Sequence, residues 1–180
     1  MYKRQERYDG ILKDVFALQD EITLKILNAL QVKLTAGEQS QLWSTGTDNL
    51  KAYLKYLQAR EHVYQMNQEN NVLGRQMLEE VIRLDPNYAM AYMTLAHTHA
   101  FDISYGTCKS LKESLKQAFE LVEKAIELDD SLAEAHGILG RIYQLKRQHK
   151  EAIAEGRRAV AINPNSADSH ARLGLFLRYA

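Results

Sequence analysis

Apolar residues recur every three or four positions along most of the chain, and polar residues occupy the positions between them. This period is typical of helices with one buried face. Only two prolines occur in the 180 residues, and each lies in an Asn-Pro-Asn or Asp-Pro-Asn context that favours a turn. The pattern predicts helices at about 14–34, 36–43, 49–66, 71–84, 88–101, 111–128, 132–146, 149–162 and 167–180.

The first predicted helix is amphipathic, with its apolar residues on one face and charged residues among the others. These apolar positions are Val15, Leu18, Ile22, Ile26, Ala29 and Leu30. Such a helix needs a partner surface to cover its apolar face. We therefore expect an all-α fold in which this helix precedes the remaining ones.

Near its C-terminus the chain repeats itself with a shift of 34 residues. The matched positions are His136 with His170, Leu139 with Leu173, Gly140 with Gly174, and Tyr143 with Leu177. Ala152, Ala159 and Pro164 lie between the two segments. This spacing resembles that of tetratricopeptide (TPR) repeats, in which each unit is a pair of helices, and it implies an α-solenoid of helix-turn-helix repeats.

The preceding repeat keeps the same order of residue types. It carries Tyr92, Leu95, Ala96, Ala118, Ala125 and, in place of the closing proline, Asp130. Its two helices are ten residues further apart than those of the next repeat, which predicts an expanded loop at about 101–109. Two interpretations of this loop stay open: an ordinary insertion, or a segment that reaches over a binding groove.

Small residues recur where the two helices of a repeat should cross, because only small side chains let the backbones approach closely. Ala96, Ala118, Gly140, Ala152 and Gly174 are predicted to mark these crossings. The large residues of the repeat pattern fill the space around them. The prolines end the second helices, since proline cannot continue a helix.

Three Ser or Thr residues are followed three positions later by glutamate, which is the spacing of a capping box. They are Thr35 with Glu38, Ser110 with Glu113 and Ser131 with Glu134. Each pair predicts that a helix begins directly after its first residue.

The segment 6–22 resembles the end of the TolB-like α/β domain, which precedes TPR repeats in bacterial signalling proteins, although Gly10 stands where that family usually has arginine. From residue 20 onward, the chain is similar to the C-terminal region of class III adenylate cyclase family proteins. Residues 1–5 look like a translated sequencing-adapter end, so we expect a piece of a longer protein. The predicted layout is 6–46 for the TolB-like end and connecting helices, and 47–180 for repeats at about 47–87, 88–131, 132–165 and a truncated 166–180.

Charge does not indicate a polyanionic partner, because 23 Lys and Arg residues balance 23 Asp and Glu residues. We therefore expect no nucleic acid as a partner. The apolar runs are too short to span a bilayer, which predicts no direct membrane insertion. The basic run 146–150 favours a solvated turn, and contact with an acidic partner or lipid is the alternative.

Motifs for phosphate binding, serine hydrolysis and zinc proteolysis are absent from the sequence. His97 and His99 point about 200° apart on a helix, so they cannot hold one metal ion together. Cys108 lies in the predicted loop without a clear base partner, which favours an unreactive thiol. We therefore expect no enzyme activity, cofactor or metal in this chain. The cyclase resemblance implies that the catalytic aspartates belong to a separate N-terminal domain.

The first helices of TPR repeats line a concave surface that binds partners. By that resemblance, the ligand-facing positions are Met93, His97, Phe101, Arg141, Gln144, Leu145, Arg172, Leu175, Arg178 and Tyr179. Arginine mixed with apolar and aromatic residues is typical of surfaces that anchor peptides. The clamp that holds the terminal carboxylate of chaperones needs Lys and Asn, where this chain has Met93, His97 and Ile138, so that ligand is disfavoured.

These patterns predict a non-catalytic scaffold that binds a protein or peptide, or other domains of its parent. The resemblance implies a bacterial signalling protein of the adenylate cyclase family. The expected location is the cytoplasm, or the periplasm if the parent has an upstream membrane span. Two alternatives stay open: an architectural spacer that binds only neighbouring domains, and the regulatory part of a winged-helix regulator or kinase.

Overall fold

The computed structural model describes residues 46–178, which lie in one compact unit and form seven α-helices without a strand. The helices are α1 (Leu50–Tyr64), α2 (Gln68–Leu84), α3 (Ala89–Tyr105), α4 (Leu111–Leu128), α5 (Ala133–Leu145), α6 (His149–Ile162) and α7 (Ala167–Arg178). The amphipathic helix predicted at 14–34, the helix predicted at 36–43 and the capping box at Thr35 lie outside the described residues.

Six of the seven helices stack as three pairs, and α7 packs on the last pair. Helix α1 packs on α2, α3 on α4 and α5 on α6, and each second helix also contacts the first helix of the next pair. The first helices α1, α3, α5 and α7 contact one another in that order and so share one surface of the stack. This arrangement is the predicted α-solenoid, in which each repeat is stabilised mainly by its neighbours.

Two predicted capping boxes lie within the described residues, and they have different outcomes. The Ser110 hydroxyl accepts the backbone N–H of Glu113 at 3.3 Å, so it caps α4 as expected. The prediction for Ser131 is wrong. Its hydroxyl donates to the Asp129 carboxylate at 2.6 Å, and Leu132 takes the cap position of α5 without a side-chain hydrogen bond.

The expanded second repeat is mostly additional helix, so the predicted loop at 101–109 is wrong for 101–105 and right for 106–109. Compared with the next repeat, α3 is four residues longer, α4 is four residues longer and the linker between them is two residues longer. Helix α3 continues to Tyr105 and ends at Gly106, whose φ of +70° is a left-handed conformation that glycine adopts without strain. The expansion therefore lengthens the first helix of this repeat by one turn.

A polar network fixes this additional turn of α3 to α2. The Asp102 carboxylate accepts hydrogen bonds from Arg75 Nη2 at 2.7 Å, Asn71 Nδ2 at 2.8 Å and Thr107 Oγ1 at 3.0 Å. Arg75 and Asn71 also donate to Thr98, one turn earlier on α3. Asp102 and Asn71 are both buried, and burial strengthens such bonds because little water competes for the donors.

Glycines allow the closest helix contacts in the C-terminal half of the described chain. A Cβ atom on Gly140 would lie 2.6 Å from Cε2 of Phe176 and 3.1 Å from the carbonyl oxygen of Ala152. Gly156 on α6 contacts the same edge of Phe176, where a Cβ atom would lie 2.9 Å from Cδ2 and 3.3 Å from Cε2. Helix α7 therefore packs Phe176 against two glycines, one on α5 and one on α6.

Gly174 does not mark a helix crossing, contrary to the sequence prediction. It is exposed, and a Cβ atom there would meet no other atom within 4 Å, because no described helix packs on this side of α7. Of the other residues predicted to pack the repeats, Tyr92, Tyr143 and Leu173 are half-buried and Pro164 is exposed. The remaining ones are buried: Leu95, Ala96, Ala118, Ala125, His136, Leu139, Gly140, Ala152 and Ala159.

The two histidines at the repeated position contact the turn that precedes their helices. His136 is 1% exposed, with Nδ1 2.7 Å from the Glu155 carboxylate and Nε2 3.3 Å from the carbonyl oxygen of Asp130. Nε2 of His170 lies 2.9 Å from the carbonyl oxygen of Pro164, which is the equivalent turn position. Both rings therefore give a hydrogen-bond partner to a carbonyl group of the turn between two helices.

Candidate partner-binding groove

The surface shared by the first helices contains a groove of about 360 Å³, here called the concave groove. Its lining comes mainly from α3, α5 and α7, with Met66 added from the turn after α1. Fully buried apolar residues form its floor, and they include Ala100, Ile138 and Phe176. A partner segment in this groove would lie across three successive repeats.

Two arginines supply the positive charge of the groove. Arg141 on α5 donates from Nη2 to the Ser104 hydroxyl of α3 at 2.7 Å. Arg172 on α7 donates from Nε to the Asp168 carboxylate, one turn earlier, at 2.6 Å. These bonds orient both guanidinium groups, and Asp168 is the single acidic residue of the groove lining.

His97 lies in the groove near both guanidinium groups. Burial, followed by the positive charges of Arg172 and Arg141, lowers the pKa of His97 to about 4, and Asp168 opposes this shift. The imidazole is therefore neutral at physiological pH. The two arginines thus outweigh the one carboxylate of the lining.

The rim of the groove is apolar and exposed. The rings of Phe101 and Tyr105 stack with centroids 4.3 Å apart. Three large side chains of the lining are exposed there: Tyr105 at 60%, Met66 at 54% and Leu175 at 43%. Exposed apolar side chains gathered around a concavity mark a surface that can bind another molecule.

The structure brings together five of the ten predicted ligand-facing residues, which are His97, Phe101, Arg141, Arg172 and Leu175. Met93 is a correction, because it is 2% exposed and packs in the core between α3, α4 and α5. Gln144 and Leu145 are half-buried and Arg178 is exposed, all three outside the groove lining, and Tyr179 lies outside the described residues.

The sequence prediction missed four polar or aromatic lining residues on α3 and α7: Ser104, Tyr105, Asp168 and Phe176. The predicted loop includes the first two, whereas helix α3 continues there and places them three and four residues after Phe101 on one face. The glycine at position 106 is the sequence signal that could have identified them, because glycine is common just past the last turn of a helix.

A second cavity, of about 390 Å³, lies where α2, the end of α3 and the start of α4 meet. His99 and the half-buried Cys108 are among its lining residues. Burial, followed by the positive charge of Arg75, lowers the pKa of His99 to about 4, while Asp102 acts in the opposite direction. His97 and His99 thus line two different cavities.

Both histidines should make the fold sensitive to acid. Their folded pKa values of about 4 lie below the usual 6.5, so the unfolded chain takes up protons first as the pH falls below about 6.5. Stability that is fully present above this pH is then lost progressively towards pH 4. We expect the free energy of unfolding, measured by urea titration, to fall by about 2–3 kcal/mol between pH 7 and pH 5, with the more exposed His99 contributing less.

The matched control for this prediction is a His97→Gln, His99→Gln double variant. Its two glutamine side chains are uncharged at both pH values. It should lose much less stability over the same interval. An equal loss in the variant and the natural chain would show that other groups cause the acid sensitivity.

Among residues 46–178, no helix is both long and apolar enough to cross a bilayer. Within the same residues, no three His, Cys, Asp or Glu side chains are grouped as metal ligands would be.

Comparison with known proteins agrees with the helical repeat architecture. Residues 133–166 match the tetratricopeptide repeat family model. A Rhizobium meliloti (strain 1021) protein named "Putative adenylate cyclase 3" is 36% identical over 147 residues, which cover 82% of this chain. The chain spans only 25% of the length of that relative.

Two solved structures are similar in fold. The Arabidopsis OM64 TPR domain has a TM-score of 0.58 and 15% identity, covering 73% of this chain and 98% of that domain. The first TPR of Spaghetti (RPAP3), bound to an HSP90 peptide, has a TM-score of 0.57 and 14% identity, covering 74% of this chain and 95% of that one. The described part of this chain is therefore an all-α solenoid of TPR repeats.

Proposed function

We propose that this chain is the non-catalytic TPR scaffold of a bacterial signalling protein of the adenylate cyclase family, and that its concave groove binds a segment of another protein. The observation that carries the proposal is the combination of exposed apolar side chains and two arginines around one groove. Arginine and aromatic residues supply much of the binding energy in protein interfaces. A groove formed by three repeats also offers the length that an extended peptide needs.

The relative from Rhizobium meliloti supports the signalling part of this proposal, since its name assigns it to the adenylate cyclases. In the proposed layout, residues 6–46 are the end of a TolB-like domain and the repeats follow from residue 47, with cyclic nucleotide chemistry left to an N-terminal domain of the parent. We place this module in the cytoplasm. The charged groups of the groove are two oriented arginines and one carboxylate held by Arg172, which suit binding better than proton transfer.

Site-specific photo-crosslinking in the source bacterium tests this function. A benzophenone amino acid replaces Leu175 on the groove rim, and the control carries it at Glu120, an exposed residue of α4 outside the groove lining. We expect a discrete adduct from position 175 and none from position 120. Equal labelling at both positions, or no adduct at 175, would contradict a partner-binding groove.

The identity of the adduct separates the proposed function from an architectural spacer. A second protein crosslinked at position 175 supports the binding module. Crosslinks only to other domains of the parent would instead favour a spacer that organises its own chain. Mass spectrometry of the crosslinked peptides distinguishes these results.

A further inference from the structure

The positive charge of the concave groove is local, because the whole chain is electrically balanced with 23 basic and 23 acidic residues. Within the groove lining, Arg141 and Arg172 face a single carboxylate, Asp168. Arg141 and Arg172 line the same groove of about 360 Å³ from two neighbouring helices, so one ligand group can reach both. A carboxylate bound there would interact with two guanidinium groups on different helices.

The floor and the rim of the groove suit different parts of a ligand. Ala100, Ile138 and Phe176 on the floor have no side-chain hydrogen-bond donors, and each is at most 3% exposed. A chain terminus lying there would leave its last peptide groups without partners, which is costly. A side-chain carboxylate can reach the arginines while the backbone that carries it stays hydrated at the rim.

The apolar rim indicates the neighbour of that carboxylate. Tyr105, Met66 and Leu175 expose about half of their surface beside the arginines, and Phe101 supports Tyr105 by stacking. A large apolar side chain next to the acidic one would cover this exposed surface and remove it from water. The groove therefore offers a site for an acidic side chain directly beside a site for a large apolar side chain.

We infer that the concave groove recognises an internal acidic side chain next to a large apolar side chain in its partner segment. Arg141 and Arg172 bind the carboxylate, and Tyr105 and Leu175 cover the apolar group. This inference rests on the proposed function and specifies its ligand. It excludes the terminal carboxylate of a chain as the group that is bound.

Selection from two random peptide libraries against the 180-residue chain tests this specificity. One library displays internal segments without a free C-terminus, and the other displays free C-termini. We expect the internal library to enrich Asp or Glu next to Leu, Ile, Met or Phe. Enrichment of neutral or basic segments, enrichment from the C-terminal library alone, or no enrichment in either library would overturn the inference.

Charge-matched variants show whether the two arginines cause the selectivity. An Arg141→Gln, Arg172→Gln double variant should bind the selected peptides about tenfold more weakly or worse. A Lys112→Gln, Lys116→Gln variant removes the same charge from α4, outside the groove, and should stay within about twofold of the natural chain. Equal weakening in both variants would mean that overall charge, not the groove, selects the peptide.

Two further measurements guard against a trivial loss of binding. Far-UV circular dichroism and the urea midpoint show whether the glutamine variant is folded, and an Arg141→Lys, Arg172→Lys variant should restore part of the affinity because it restores charge. If the glutamine variant does not fold, the lysine variant decides. Selection of neutral peptides in place of acidic ones by the lysine variant contradicts the inference. A crosslink at Leu175 combined with non-acidic selected peptides would leave the proposed function standing and this inference refuted.

Discussion

Replacing Asp102 with alanine is expected to lower the free energy of unfolding by about 2–3 kcal/mol, since the Arg75 guanidinium and the Asn71 amide lose their carboxylate partner, although both retain their bonds to Thr98. Both side chains of the Asp102–Arg75 pair are mostly buried, at 11% and 22% exposed. The last turn of α3 should fray as well, because the same carboxylate joins it to α2 and to Thr107. Urea titration gives the loss of stability, and hydrogen exchange at residues 101–105 reports the fraying.

The Asp168–Arg172 pair provides a matched control for this effect. Its N–O distance of 2.6 Å is nearly the same as the 2.7 Å of the Asp102–Arg75 pair, but Asp168 is 53% exposed. Water and salt weaken an exposed pair, so Asp168→Ala should cost less than about 1 kcal/mol. Similar losses for the two substitutions would mean that burial does not decide the strength of the Asp102 network.

Replacing Gly140 with alanine is expected to destabilise the chain by about 1–3 kcal/mol, although alanine is ordinarily the better helix former. The added methyl group would lie 2.6 Å from the ring of Phe176 and 3.1 Å from the backbone of Ala152. Phe176 is 1% exposed and is also confined by Gly156, so it has little room to move. The free energy of unfolding, measured with urea, checks this loss.

Gly174 lies 34 residues further along, at the equivalent position of the next repeat. There the same substitution is expected to increase stability instead of lowering it. A methyl group there meets no other atom within 4 Å, so Gly174→Ala should stabilise α7 by about 0.5–1 kcal/mol through helix propensity alone. If both alanine variants change stability in the same direction, the close contact of Gly140 with Phe176 is not what limits that position.

The repeat and most helix ends were predictable from the sequence, because they depend on local chemistry. Small residues at fixed spacing located the crossing at Gly140 and Ala152, and the predicted bounds of α4 and α6 match the structure. Gly174 has the same spacing but does not lie at a helix crossing. A repeat pattern gives the position that a residue would occupy in a complete stack, but not which neighbouring helix covers it.

The additional turn of α3 was not predictable in the same way. Its stability depends on Asn71 and Arg75, which lie 31 and 27 residues before Asp102 in the chain, and no local pattern links them. A helix predicted to end at 101 leaves Ser104 and Tyr105 outside the groove, whereas the longer helix places both in its lining. The prediction that Met93 faces the ligand was wrong for a related reason. The repeat pattern places a residue on the first helix, but it does not determine in which direction a large side chain packs.

The length of α3 also extends one end of the concave groove. Helices α3 and α5 begin at equivalent repeat positions, but α3 has 17 residues and α5 has 13. At a rise of about 1.5 Å per residue, α3 continues about 6 Å beyond the equivalent end of α5. A bound segment would therefore still contact Ser104 and Tyr105 where the neighbouring helix has already ended, so substitutions in the segment should be least tolerated at that end.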